Sequence, residues 1–138
     1  MCIRDSSYIR AGTEKITSSP ELKILGFIFG TTPSVRPHID YMLGKARKKL
    51  WALRHVKKAG MNTEDMKIFF ETIIRPTLEY AAPTFHPMLT EEMTSEIERV
   101  QKQASKLIYG YDTNYDQLIA NGTFETLSSR RELSLIHI

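Results

Sequence analysis

Between residues 37 and 58 the apolar positions fall three and four apart, at Ile39, Met42, Leu43, Ala46, Leu50 and Leu53. That spacing predicts an amphipathic helix from Pro37 to Lys58, ended by Gly60, with Lys57 and Lys58 in the last turn where they suit the helix dipole. Asn62, with Asp65 three residues on, reads as the cap of a second helix over 62–75 whose apolar side is Met66, Phe69, Phe70, Ile73 and Ile74. Pro76 lacks a backbone donor, so this helix should kink or end near Arg75, with at most a final turn through Leu78 and Tyr80. Residues 81–89 contain Pro83 and Pro87 and are not expected to form a regular helix. Thr90 should cap a third helix over 91–109, carrying the stripe Met93, Ile97, Val100, Ala104, Leu107 and Ile108 and stopped by Gly110. Short helices should follow near Asn114 and from Thr123 to Glu132.

The part before the first helix has a different period. Residues 22–29 (LKILGFIF) are bulky and apolar and predict one strand, with Gly26 allowing a bend or a close backbone approach. A lone strand is not stable, so its partner should come from residues 7–21, which read as a loop or a cut edge, or from sequence outside this chain. The fold class expected is therefore mostly α, a small helical bundle with one β-strand or hairpin on the N-terminal side.

The two ends read as foreign to the protein. Met1–Ser6 back-translates to ATG TGT ATA AGA GAC AGC, and Leu133–Ile138 to CTG TCT CTT ATA CAC ATC. With that choice of codons, and the last base of each run apart, each is the reverse complement of the other. Both resemble the transposase end sequence used in sequencing-library preparation. Segments 1–6 and 133–138 are accordingly set aside from fold reasoning. The remainder divides into a loop and strand over 7–36, a helical region over 37–110 and short helices over 111–132.

Charge changes the picture more than composition does. The net charge is only +3, yet Leu22–Lys58 holds nine Lys or Arg against the single acid Asp40. Gly60–Glu98 reverses this, with eight acids against Lys67 and Arg75. A basic segment beside an acidic one suits a phosphate-facing surface backed by another face. Lys45, Arg47, Lys48, Lys49 and Arg54 are the candidate backbone contacts. Trp51 lies beside the apolar stripe, where packing on a neighbouring element is expected and stacking on a base is the alternative.

Other chemistry finds little support. Cys2 is the only cysteine and lies in the suspect end, while His38, His55 and His86 are far apart in sequence and His137 is in the tail, so no metal site is expected. Polymerase-type chemistry needs paired carboxylates holding two metal ions, and no Asp-Asp pair occurs. Glu91 and Glu92 are adjacent at a helix start, where acids favour the dipole. Gly44-Lys45 lacks the spacing of a phosphate loop. There is no apolar run of about 20 residues, the length of a membrane span, and no membrane partner is expected.

A resemblance ties these blocks together. LKILGF (Leu22–Phe27), His38-Ile39, KARKKLWALR (Lys45–Arg54), IRPTLEYAAPTFHP (Ile74–Pro87), ERVQKQASKLIYG (Glu98–Gly110) and TLSSRRE (Thr126–Glu132) occur in that order. Together they resemble the region downstream of the catalytic palm, the thumb and following helices, in LINE-type (non-LTR) retrotransposon reverse transcriptases. Phe85 departs from the tryptophan more usual there, though an aromatic is kept. The resemblance implies a non-catalytic piece of an RNA-directed DNA polymerase acting in the nucleus. The parent's Mg²⁺ would be held upstream, and its partners would be the RNA template, a DNA or RNA–DNA hybrid, and the missing palm. It also implies nucleic-acid contacts by Arg130 and Arg131 (or helix capping by them), and structural roles for Arg75, Pro76, Glu79, Tyr80, Pro83, Glu98 and Gln101. A structural connector, or a helical interaction module without nucleic-acid contact, is the alternative.

Overall fold

A computed structural model describes residues 8–136, so the reading of Met1–Ser6, and of the last two residues of the 133–138 segment, lies outside the described residues. The architecture is mostly helical, with two antiparallel hairpins on the N-terminal side.

Both hairpins correct the reading of the N-terminal part. The single strand expected over 22–29 is two strands, β3 (Glu21–Ile24) and β4 (Phe27–Gly30), paired Ile24 to Phe27. Leu25 and Gly26 form the two-residue turn, with φ of 49° and 85°. Turns with both central residues at positive φ match the twist of the flanking strands. The strand's partner is thus its own second half. Residues expected as a loop form β1 (Tyr8–Ala11) and β2 (Glu14–Thr17), joined through Gly12 at φ 65°.

The long helices follow from their stripes. In α1 (Arg36–Lys58) all six predicted stripe residues are buried, as are Met93, Ile97, Val100, Ala104, Leu107 and Ile108 in α5 (Glu91–Tyr109). The Asn62 carboxamide accepts from Asp65 N–H at 2.8 Å and the Thr90 hydroxyl from Met93 N–H at 3.2 Å, capping α2 (Thr63–Phe69) and α5. Gly60 and Gly110, both at positive φ, end α1 and α5.

At Pro76 the chain remains helical. A π-helical turn at Phe70–Ile74 joins α2 to α3 (Arg75–Glu79), with Arg75 N–H bonded to the Phe70 carbonyl five residues back. The Ile73 carbonyl receives the Lys49 ammonium at 2.9 Å and the Thr77 hydroxyl at 3.1 Å, so two side chains hold this turn beside the proline. The wide turn also alters the expected stripe. Met66, Phe70, Ile74 and Leu78 are buried at a constant interval of four, while Ile73 is exposed and Phe69 only half-buried.

Residues 81–89 also hold more helix than expected. Ala81, at φ 56°, leads into the single turn α4 (Ala82–Phe85), and a 3₁₀ turn follows at His86–Met88. Pro83 sits in the first turn of α4, where its missing donor costs nothing. α6 (Tyr115–Ala120) and α7 (Leu127–Ile136) then close the fold. They share the main core: Phe124 lies edge-on to Phe70 and Tyr109, with ring centroids 5.6 Å and 6.0 Å away, and Leu127 is fully buried.

Candidate nucleic-acid interface

α1 divides the predicted basic cluster between two faces. Its buried stripe fixes the rotation of the helix, and at 100° per residue every other position follows. Arg47, Lys48, Trp51, Arg54, His55 and Lys58 are all exposed. Measured from Trp51 they lie at −4, −3, +3, +4 and +7, within about 60° of it around the helix. Arg47, Lys48, Arg54 and Lys58 make no ion pair or hydrogen bond with the described residues, and the helix's one acid, Asp40, is paired with Arg36 at 3.0 Å. Trp51 is 61% exposed. Packing against a neighbouring element was the expectation; its ring contact is instead with His55, at a centroid distance of 3.8 Å, in a side chain whose Nδ1 lies 3.0 Å from the Trp51 carbonyl oxygen.

Lys45 and Lys49 lie roughly 120° and 160° round from Trp51 and face a groove whose edge Lys48 also lines. The groove has a volume of about 720 Å³ and runs between α1, the π turn and the β3–β4 tip, with Met42, Ile73, Pro76 and Tyr80 in its lining. Lys49 is bonded there to the Ile73 carbonyl and the Thr77 hydroxyl, so it straps α1 to α3. Tyr41 is flanked by two cations. Its hydroxyl takes a 2.7 Å bond from Lys23, and the Lys23 and Lys45 ammonium groups lie 4.6 Å and 4.5 Å from its ring centroid. Hydrogen bonding from Lys23, then from Lys45, lowers the phenol to about 8. Neither Tyr41 nor Lys23 was picked out in the sequence as part of a site, because the contact joins a strand to a helix 18 residues away.

The remaining sequence-derived residues have internal partners. Arg75 pairs with Glu71 at 3.5 Å and lies over the Phe70 ring. The Tyr80 hydroxyl donates to the Leu25 carbonyl, fastening the hairpin tip to α3. Gly26 makes that approach possible, since a Cβ there would stand 3.3 Å from the Tyr80 ring. Glu98 and Gln101 belong to one network. The Glu98 carboxylate accepts from the Tyr115 hydroxyl and, at 3.0 Å, from Leu127 N–H at the start of α7. Buried Gln101 donates to the Tyr115 hydroxyl at 2.7 Å and to the Glu125 carbonyl at 2.8 Å.

Arg130 and Arg131 leave the candidate interface. Arg130 is bound to Glu79 and pairs with Glu125 at 3.4 Å, interactions that raise its pKa. Arg131 is 1% exposed, its Nε lies 3.4 Å from His86 Nδ1, and burial lowers its pKa. A guanidinium in that position reaches no phosphate. His38 is also buried, stacked on Phe27 at 4.0 Å, and desolvation holds it below the usual imidazole pKa.

No protein-family model matches this chain, and no curated protein or solved structure is significantly similar to it. Among the described residues no three His, Cys, Asp or Glu side chains come together as a metal site. No described helix is long and apolar enough to cross a membrane. What the arrangement offers is an exposed row of cations, without acidic partners among the described residues, around an exposed indole.

Proposed function

We propose that this chain is the part of a LINE-type reverse transcriptase that follows the catalytic palm, and that the outward face of α1 holds the nucleic-acid backbone. The observation that carries the binding role is the row Arg47, Lys48, Arg54 and Lys58, exposed and free of acidic partners among the described residues. Such a row gains affinity by releasing phosphate counterions and reads no sequence. Lys45 contributes from the groove side, and Lys49 acts as a strap. The ordered sequence blocks supply the polymerase assignment. In that assignment the parent's upstream carboxylates hold Mg²⁺, the RNA template or its DNA hybrid is the ligand, and the palm covers apolar surface left open on β3–β4, where Leu22, Ile24 and Phe29 are exposed.

Fluorescence anisotropy across a salt series tests the binding role. Changing Arg47, Lys48 and Arg54 together to glutamine should lower the slope of log affinity against log salt by roughly 2 to 3 on duplex or hybrid. Changing Lys106, exposed on α5, should leave it unaltered. A slope indifferent to the triple change would favour the structural-connector reading, which draws on the inward partners of Lys49, Arg130 and Arg131.

A further inference from the structure

We infer that the α1 face binds single-stranded nucleic acid in preference to duplex, with the Trp51 indole as a stacking platform for one base. The inference rests on the proposed interface and names the form of nucleic acid that it takes.

Three features of the face lead there. Backbone-only recognition needs cations, yet the centre of this row is the largest apolar side chain available. Trp51 projects from the outward side of α1 at 61% exposure, where no packing accounts for it. One side of the ring is taken by the His55 imidazole, leaving the other free to receive a planar group. The cations then stand around the indole. Arg47 and Lys48 lie one turn before it, Arg54 one turn after and Lys58 two turns after. A strand running along the helix would meet a positive charge on either side of each base placed on the ring.

Bases within a duplex are already stacked on one another, so an indole on a convex helix reaches one only by unstacking it. Bases of a single strand are free, and an aromatic face accepts any of them. An acidic peptide would satisfy the cations but has no flat π-face for the indole.

Trp51 is the only tryptophan, so its emission reports on this face alone. The full chain is titrated with oligothymidylate of about 12 nucleotides, a length that fits a single site, with a duplex of equal length, and with polyglutamate. Oligothymidylate should quench Trp51 and bind about tenfold more tightly than duplex. Trp51→Ala should lose roughly 5- to 100-fold in single-strand affinity while duplex anisotropy stays unchanged, and Trp51→Phe should recover most of the loss. Binding of oligothymidylate without a change in emission, or equal quenching by duplex or polyglutamate, would overturn the stacking role and leave the backbone interface standing. Failure of every nucleic acid to bind would overturn both.

Discussion

Removing the Glu98 carboxylate should unfasten α6 and α7 from the rest of the molecule. Its two oxygens serve different elements: one accepts from Tyr115 in α6 and the other from Leu127 N–H, a first-turn donor of α7 with no partner inside its own helix. Hydrogen bonds to a charged group contribute about 1.5–3 kcal/mol each. Glu98 is half-buried, which places both near the lower end. Glu98→Ala should therefore cost about 3 kcal/mol. With a urea dependence of about 1–3 kcal/mol per molar, the unfolding midpoint should fall by roughly 1–3 M. Glu98→Gln keeps one acceptor and should lose about half as much. Tyr115, whose pKa is raised by burial and then by Glu98, remains a donor at neutral pH, so Tyr115→Phe and Glu98→Gln should be non-additive. Urea unfolding followed by circular dichroism measures the parent, the three single variants and the Glu98→Gln/Tyr115→Phe double variant. A Glu98→Ala midpoint indistinguishable from that of the parent would refute this account of how α6 and α7 are held.

Three further outcomes are expected. Absorbance at alkaline pH, taken as the difference between the parent and Tyr41→Phe, should show one phenol titrating near 8, and Lys23→Met should move it toward the ordinary value of 10. The folded pKa lies below the unfolded one, so the stabilisation is present above pH 10 and is lost as pH falls through 8; stability should rise between those limits in the parent relative to Tyr41→Phe. Leu25→Asn relieves a left-handed turn residue that is otherwise solvent-exposed and should strengthen hydrogen-exchange protection of β3–β4 by about 1 kcal/mol, with no gain refuting the turn assignment. Arg131→Met should be neutral or stabilising in chemical unfolding, because the buried Nη atoms lack partners, whereas Arg130→Met should cost about 0.5–1 kcal/mol through Glu79.

The helices were legible because their information is local. Ile39 to Leu53 and Met93 to Ile108 repeat at helical intervals, and Asn62, Thr90, Gly60 and Gly110 act within one turn of themselves. The hairpins were not. A turn at Leu25 places a branched apolar residue at positive φ, against its own preference, so LKILGFIF gave no sign of reversal beyond Gly26. In β1–β2 the apolar pair Ile9 and Ile16 is too sparse to show a period. For the site, helix phase alone separates Arg47 and Arg54 from Lys45 and Lys49, with Lys48 between the two groups, and that was available in the sequence. What was not available was the partner of each charge. Lys49 finds Ile73, Arg130 finds Glu79 and Lys23 finds Tyr41 across separations of 24, 51 and 18 residues. No spacing rule reaches so far.

The interval of four in Met66, Phe70, Ile74 and Leu78 carries a consequence for change in chain length. In a regular helix twelve residues turn the last of these about 120° away from the first. The wide turn accommodates one surplus residue, roughly 100°, and returns all four to one side. The segment therefore behaves as a helix bearing a one-residue insertion, with Lys49 as the brace that holds the surplus in place. Shortening it by one residue between Glu71 and Ile73 would restore an ordinary helical repeat and keep both flanking apolar faces in phase. Lengthening it by one would turn α3, and with it the Tyr80 hold on the hairpin tip, about 100° away from α1. Length variation here is tolerable in one direction only.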